Sequence, residues 1–301
     1  ANPTIVNLDI STSEWSLLGI PYDAGTLTTA DEAAWEYTIQ TGYTALTSTN
    51  IAASVTRTQS DPYEHWFNDI YTGTGVSNKR TTGFPVEFSW TKTRGVSSAH
   101  CIVDIIRGLD NYIVPNTTAA QATITTITDS FDSDGITFGA DTASLTNTNT
   151  NTMVGWFAKL GGTASTNEAG ATNTSISVNT TLGMSVGTYT GANATTLGRG
   201  LGVVPEMIIV KRTNGGTGSW IVYHSHNAAD PSQGYLVMNT TAGYTDTGAS
   251  IWNDTMPTSS VFSVGNNIST GLSGEEYMFI AFAPSEYISI SNYSANNVAN
   301  G

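Results

Sequence analysis

The sequence contains very little cysteine and no long apolar run. Cys101 is the single cysteine in 301 residues, so the chain cannot form an intrachain disulfide or a cysteine-based metal site. Its neighbours Ile102 and Val103 are apolar, which predicts that the thiol is a small buried hydrophobe. No stretch approaches the roughly 20 apolar residues that a membrane-spanning helix requires. Stability must therefore come from packing and strand pairing, and we expect no membrane insertion.

Charged side chains are also scarce, and basic ones most of all. They make up 11% of the chain, with 10 Lys plus Arg against 24 Asp plus Glu and a formal net charge of -14. A chain this acidic repels the phosphates of nucleic acid and the anionic face of a membrane. We therefore expect no nucleic-acid partner.

Thr, Ser, Asn and Gly are abundant instead. Thr is β-branched and suits a pleated strand, while the 30 glycines and the many asparagines supply the positive φ angles of hairpin turns. This composition favours many short strands. The length suits two or three domains, because single cores stop growing well before 301 residues.

The second half of the chain repeats the first. Four matched pairs occur in the same order in both halves: Tyr71-Thr72-Gly73 with Tyr189-Thr190-Gly191, Glu87 to Lys92 with Glu206 to Lys211, Asn116 to Ala119 with Asn239 to Ala242, and Met153 to Ala158 with Met278 to Ala283. The offsets rise in chain order from 118 to 125 residues, as short insertions between homologous strands produce. The pattern indicates a tandem duplication.

The duplication divides the chain into four predicted regions. Residues 1–70 do not match the repeat and are assigned to an N-terminal attachment or assembly region, with one short helix expected over residues 29–37. Residues 71–160 form the first β-sandwich repeat, residues 161–182 a Gly/Thr/Asn-rich linker or surface excursion, and residues 183–301 the second repeat. The predicted fold is all-β, with tandem antiparallel, jelly-roll-like sandwich domains and a smaller N-terminal region.

The C-terminal tail resembles the strand that leads into the second copy. Ile288 and Ile290 alternate with Ser289 and Ser291, as in a strand with one apolar face. Such a strand must be covered by its own domain or by a neighbouring subunit, since an open edge invites pairing. We expect it to pair within its own chain.

Candidate metal sites are incomplete in the sequence. His224-Ser225-His226 places two imidazoles on one face of a strand with Asp230 close behind, but zinc requires at least three convergent ligands. Asp132-Ser133-Asp134-Gly135 is similar to the opening of a calcium loop, yet Thr142 stands where the closing Glu belongs. Asp-Gly is also a preferred hairpin turn, so we expect a turn there. The predicted cofactors and metals are none.

The acidic residues do not predict catalysis. Dense acidic spots occur at Glu275-Glu276 and at Asp61 with Glu64. Glycoside hydrolysis requires two facing carboxylates, whereas adjacent residues of a strand point to opposite faces. We therefore expect no enzymatic activity and no catalytic residue.

Tryptophans offer a different kind of site, because their rings can stack on sugars. Trp90 and Trp156 match apolar positions of the other copy, which favours a place in the core. Trp252 and Tyr244 lie in loop-like sequence and are the better candidates for exposure. We predict a glycan contact formed by Trp252, Tyr244, Asn253 and Asp254.

The ordered motifs of the second copy resemble a tandem module of structural proteins of marine and cyanobacterial tailed phages. The motifs are Tyr189 to Gly191, Leu197 to Lys211, Trp220 to Ser225, Asn239 to Ala242 and Ile251 to Gly265, with a related series in the first copy at His100, Asp104, Arg107-Gly108 and Phe131 to Gly135. The resemblance covers about residues 70–285. It implies a virion appendage or surface-fibre role and supplies no catalytic residues.

Two further functions remain open beside this one. A lectin-like carbohydrate-binding module would use the loop aromatics to hold cell-surface glycans, and a bacterial extracellular filament or adhesin subunit would share the Lys-poor composition. For the leading function, the expected location is the virion or the extracellular space. The expected partners are further copies of the chain in a homo-oligomer, other virion proteins and a host-surface glycan.

Overall fold

The computed structural model describes residues 62–294, and the helix expected over residues 29–37 lies outside them. A 3-10 turn (Pro62–Glu64) precedes the strands of a first module: β1 (Trp66–Thr72), β2 (Asn78–Thr81), β3 (Phe88–Thr93), β4 (His100–Asp104), β5 (Asn111–Tyr112), β6 (Ala122–Thr123), β7 (Thr128–Asp132), β8 (Gly135–Phe138) and β9 (Thr152–Ala158). No described helix is long and apolar enough to cross a membrane.

A hairpin, β10 (Ser165–Asn167) and β11 (Thr174–Asn179), leads into a second module. Its elements are β12 (Met184–Thr190), β13 (Thr195–Gly198), β14 (Met207–Arg212), β15 (Ile221–His224), a 3-10 turn (Pro231–Gln233), β16 (Gly234–Val237), β17 (Thr245–Asp246), the single helical turn α1 (Ala249–Trp252), β18 (Val261–Val264) and β19 (Glu276–Phe282). All strand pairs are antiparallel, and the predicted all-β sandwich fold is confirmed.

Each module is a sandwich with nested strand pairing. In the first module the sheet β1-β9-β3-β4 packs against the sheet β2-β8-β7, and in the second module β12-β19-β14-β15 packs against β13-β18. In each module the first strand pairs with the last strand: β1 with β9, and β12 with β19. The second strand pairs with the strand that precedes the last one: β2 with β8, and β13 with β18. Alternation places Met153 and Phe157 of β9 in the sandwich core while Trp156 points outward.

The two modules contain equivalent hydrogen bonds. The hydroxyl of Tyr71 donates to the carbonyl of Thr146 over 2.5 Å, and the hydroxyl of Tyr189 donates to that of Thr270 over the same distance. The Asn116 side chain accepts from the backbone N–H of His100, as Asn239 does from that of Trp220. These pairs fix which residues of the two modules correspond.

One of the sequence matches is shifted by a residue. Met153 pairs with Tyr71 and Tyr277 pairs with Tyr189, so Met153 corresponds to Tyr277 and not to the Met278 that the sequence match indicated. The physical reason is that a strand alternates, and a shift of one residue would turn the buried side chains to the wrong face. The match of Met153 with Met278 was misleading because both faces of these strands carry apolar residues.

The expected linker over residues 161–182 is wrong. This segment contains β10 and β11, and β11 pairs with β12 along five positions, so it extends the second sheet. Its few apolar side chains, Ile176 and Val178, alternate with serines and pack into the core of the second module. Composition concealed the strand because Ser and Thr cover its outer face.

Two predicted boundaries also change. The first module begins at Trp66 in β1 rather than at residue 71, because β1 pairs with β9 along its whole length. In the described part of the tail, up to residue 294, the predicted C-terminal strand is absent. Tyr287 and Ile288 instead pack against an apolar cluster between the modules. The strand β12 relies on β11 and β19 as partners, and the tail has no equivalent of either.

The two modules share a third apolar core. The outer faces of the four-stranded sheet of the first module and of the eight-stranded sheet of the second meet. The contact buries Phe88, Ile102, Ile113, Ala158 and Leu160 of the first half against Leu182, Met184, Val186, Ile209, Trp220, Val222, Met278 and Ile280. Both modules belong to one compact unit of the chain. We call this contact the module junction.

Candidate functional site

The structure does not gather the predicted glycan residues into one site. Trp252 is 2% exposed and packs in the core of the second module, where its Nε1 donates to the Gly234 carbonyl over 3.0 Å and its ring meets that of Tyr223 edge to face. The prediction that Trp252 is an exposed loop aromatic is therefore wrong. The helical turn α1, which the loop-like sequence concealed, carries the ring inward.

Tyr244, Asn253 and Asp254, the other three residues of that prediction, lie at the surface but have different surroundings. Tyr244 is half-buried over Gly234, with its hydroxyl 3.4 Å from the Asp230 carbonyl. Asn253 and Asp254 are exposed and both have left-handed backbone angles, as residues that end the helical turn. Of the four, only Asn253 lines a shallow pocket of about 620 Å³.

The histidine pair forms a polar strand end. The Nδ1 atom of His224 accepts from the backbone N–H of His226 over 3.2 Å. Asp104 and Ile106 hold the corresponding positions of the first module. Asp230 caps the following 3-10 turn. Within residues 62–294 there is no group of three or more His, Cys, Asp or Glu side chains placed to hold a metal ion.

The acidic motifs have structural partners. Asp132 and Gly135 close the hairpin between β7 and β8, so the predicted turn is confirmed, and Asp134 forms an ion pair with Lys79. Oε2 of Glu275 lies 3.5 Å from Nη1 of Arg212, as an ion pair. Asp61 lies outside the described residues. Cys101 is buried in the core of the first module, as predicted, and burial raises the pKa of its thiol.

A polar cleft of about 570 Å³ lies where the two modules meet. The first module contributes Ile106, Arg107 and Gln121, and the second half contributes hydroxyl and amide side chains together with two tyrosines and one acid: Thr166, Asn173, Thr174, Ser175, Thr188, Tyr189, Thr190, Thr213, Asn214, Glu276 and Tyr277. Its volume lies in the range of small-molecule sites. Glu276 is the sole carboxylate among the lining residues, so the cleft lacks the facing acid pair of a glycosidase.

The first-module wall of the cleft is held rigidly. The Arg107 Nε donates to the Asp104 carboxylate over 2.6 Å, its Nη2 donates to the Ile102 carbonyl, and both charged side chains are buried. Asp104 also accepts from the backbone N–H groups of Ile106 and Arg107. The guanidinium is thus committed to the fold and is not a free ligand for an anion.

A second candidate surface lies on the outer sheet face of the first module. Two rows of side chains cross the strands there, with Ile70, Val154, Lys92 and His100 in one and Asn68, Trp156 and Trp90 in the other. We call six of these residues the tryptophan strip: Ile70, Trp90, Lys92, His100, Val154 and Trp156. Ile70 is 63% exposed and the other five are partly exposed. Trp90 also packs against the module junction, whereas Trp156 belongs to no apolar cluster among the described residues, so the prediction of a place in the core is wrong for Trp156.

The two tryptophans of the strip are placed by the sheet. Trp90 and Trp156 face each other across β3 and β9, with ring centroids 6.3 Å apart and planes at 78°. Trp90 Nε1 donates to Nδ1 of His100 over 3.0 Å. Burial, followed by the positive charge of Lys92, lowers the pKa of His100, which favours the neutral imidazole that can accept this bond. The arrangement presents aromatic surface beside polar donors.

The corresponding positions of the second module are closed by the module junction. Ile209, Ile280 and Trp220 replace Trp90, Trp156 and His100, and each is at most 5% exposed. Lys211 replaces Lys92 and is buried, donating to the carbonyls of Thr118 and Gly218. Burial, and then the nearby Arg212, lowers the pKa of Lys211 to about 8.

Sequence reasoning missed the strip because it read an apolar residue in one copy as a sign of burial in both. The useful signal was that Trp90 and Trp156 of the first copy correspond to Ile209 and Ile280 of the second. Beside them, both copies carry a lysine, Lys92 and Lys211. No sequence pattern shows which of two homologous faces is covered, since the covering module is distant in the chain.

Comparison with known proteins places the chain in a family. No curated protein and no solved structure matches it. The family described as Domain of unknown function (DUF7483) matches residues 61–301, which include both modules and the module junction. The chain therefore belongs to the DUF7483 family, a domain of unknown function.

Proposed function

We propose that the chain is a structural, non-enzymatic component of a virus particle: a subunit of a tail fibre, appendage or surface decoration that acts by assembly and by adhesion to the host surface. The observation that carries the proposal is the module junction, which joins two homologous sandwiches through a continuous apolar core. Two modules joined by such an apolar core are expected to move together as one stiff body. Such a body suits a projecting part of a particle.

The surface chemistry supports the same proposal. Charged residues are 11% of the chain, and hydroxyl and amide side chains take their place. The polar cleft holds a single carboxylate, Glu276, so its lining does not offer the acid pair that degradation of host polysaccharide requires. This lining supports the structural, non-catalytic use that we propose.

The partners in this proposal are further copies of the chain, other virion proteins and a glycan of the host surface. We propose a homo-oligomer located in the virion or outside the cell. The proposed attachment region, predicted over residues 1–70, is shortened to residues 1–65 because β1 begins at Trp66, and its residues 1–61 lie outside the described residues. The net charge of -14 argues against nucleic acid as a partner.

Labelling of particles tests the proposal. Antibodies raised against the recombinant chain are applied to virus particles purified from the organism's habitat or host culture, and the particles are viewed by immunogold electron microscopy. We expect gold at the tail or the particle surface and the intact chain in the mass spectrum of the particles. Labelling of cell-surface filaments with none on particles would overturn the proposal in favour of a bacterial filament subunit.

A further inference from the structure

We propose that the tryptophan strip of the first module binds the pyranose rings of a neutral glycan. The inference deepens the adhesive part of the proposed function and rests on it, but not on the location of the chain in a particle. It begins from an internal comparison: the same sheet face exists twice in the molecule, and only one copy carries paired tryptophans.

The fold does not require these tryptophans. At the equivalent positions of the second module, Ile209 and Ile280 occupy the same sheet register with the same strand pairing. In the first module Trp90 packs partly against the module junction, both Trp90 and Trp156 leave part of their rings exposed to solvent, and Trp156 Nε1 has no hydrogen-bond partner among residues 62–294. A large aromatic side chain kept at an open position is explained by a ligand better than by packing.

The chemistry of the strip selects a neutral, polyhydroxylated ligand. One face of a pyranose ring carries mainly C–H groups and packs on an indole by dispersion and by attraction to the negative ring face. Around the rings, Trp156 Nε1, the Lys92 ammonium and the Asn68 amide can bond to hydroxyls. Lys92 already donates to the Thr93 carbonyl over 2.6 Å and none of the six strip residues is acidic, while the net charge of -14 repels anionic polymers.

The size of the strip argues against a second protein copy as its occupant. The strip spans four strands and two rows of side chains, so with strands about 4.8 Å apart and about 7 Å between rows it covers on the order of 200 Å². A stable protein contact buries about 800 Å² on each partner. An area of this size fits a few sugar rings, and it does not fit a stable dimer.

The experiment compares the full chain with a variant that copies the second module. Trp90→Ile with Trp156→Ile introduces the residues that Ile209 and Ile280 already provide in the same fold. Tyr293→Ala removes an aromatic that is 92% exposed and lies outside the strip, and it serves as the matched control. Cellohexaose, maltohexaose and mannohexaose are the neutral probes, and alginate is the anionic probe. Binding is measured by isothermal titration calorimetry and by tryptophan fluorescence, and folding by the melting temperature.

We expect at least one neutral hexasaccharide to bind the full chain and the Tyr293→Ala variant equally. The double Ile variant should lose affinity by about tenfold or more, because two stacking contacts disappear. Its melting temperature should stay within a few degrees of the parent. The single variant Trp156→Ile, which keeps the Trp90–His100 hydrogen bond, should show a smaller loss and supports the same conclusion if the double variant is unstable.

Three results would overturn the inference. They are equal binding by the parent and both Ile variants, binding of alginate alone, or no binding to any neutral probe together with an oligomer that the Ile variants dissociate. The last result would make the strip a contact between copies. None of these results bears on particle labelling, so failure of the glycan site is distinguishable from failure of the proposed function.

Discussion

The two modules share strand order, register and tyrosine hydrogen bonds, yet their outer sheet faces differ. The face of the second module is covered at the module junction, and its Lys211 and Trp220 are fully buried. The equivalent face of the first module stays partly open, and its Lys92 and His100 reach solvent. The difference teaches that burial of a sheet face in this protein is decided by the neighbouring module and not by the module's own fold.

The largest expected effect comes from the aromatic side chain at the junction. Trp220→Ala removes a fully buried ring whose Nε1 donates to the Val114 carbonyl, and we expect it to lower the free energy of unfolding by about 3–5 kcal/mol. His100→Ala at the equivalent open position should cost less than about 1 kcal/mol. Urea unfolding followed by circular dichroism measures both. Equal losses would contradict the asymmetry of the two faces.

Burial of Lys211 should make the stability of the protein depend on pH. The pKa of Lys211 is lowered from 10.5 to about 8, so between pH 7 and 9.5 the unfolded chain binds more protons than the folded chain. The contribution of Lys211 to stability should therefore rise with pH in that window, by about 2 kcal/mol, and the buried Cys101 thiol, whose pKa burial raises, should offset part of this rise toward its upper end.

Paired substitutions isolate this contribution. In Lys211→Met the rise should disappear, whereas in Lys92→Met it should persist, and urea unfolding at intervals of half a pH unit measures both. Above pH 10 the trend should reverse, because burial raises the pKa values of Tyr71 and Tyr189 and the unfolded chain then loses protons first. A rise that survives in Lys211→Met would assign it to another group.

Removal of the two equivalent tyrosine hydroxyls tests whether the cores of the two modules are equivalent. Tyr71→Phe and Tyr189→Phe each leave a buried carbonyl, of Thr146 or Thr270, without its donor, and we expect each to cost about 1–2 kcal/mol. The two losses should agree within about 0.5 kcal/mol, because each hydroxyl bonds to a buried carbonyl at the equivalent position of its module. Chemical unfolding at pH 7 measures both losses in the free energy of unfolding. A threefold difference between the two losses would show that the cores are not equivalent.

The smallest effect concerns one turn that precedes the last strand of each module. Thr150 has a φ of 61° where Gly274 has a φ of 84°. Thr150→Gly should stabilise the protein by about 0.5–1 kcal/mol, since a β-branched residue is strained in the left-handed region. In Gly274→Thr the added Cβ meets no atom within 4 Å. We expect this variant to be destabilised by about 1–2 kcal/mol through backbone strain. Melting temperatures that shift in the same direction for both variants would contradict the equivalence of the turns.

Part of the fold could be predicted because its causes are local. The Asp-Gly hairpin at Gly135, the buried Cys101 and the many short strands follow from turn geometry and from runs of apolar residues. The duplication could be recognised because homologous strands keep residues such as Tyr71 and Tyr189 that close the same hydrogen bonds. The segment 161–182 was mistaken for a linker because one face of β11 is covered by hydroxyls.

The candidate site could not be predicted in the same way. A loop-like sequence around Trp252 suggested exposure, but a helical turn directs that ring into the core. Trp90 and Trp156 matched apolar residues and suggested burial, but the module that could cover them reaches only part of their face. The sequence by itself determined the all-β fold and the acidic surface, because both depend on composition and on the spacing of nearby residues, and it revealed the repeat, because matched residue types recur in the same order in both halves. Only the tertiary structure decided which tryptophans meet solvent and which lysine is buried, because that depends on how two modules more than 100 residues apart in the chain pack together.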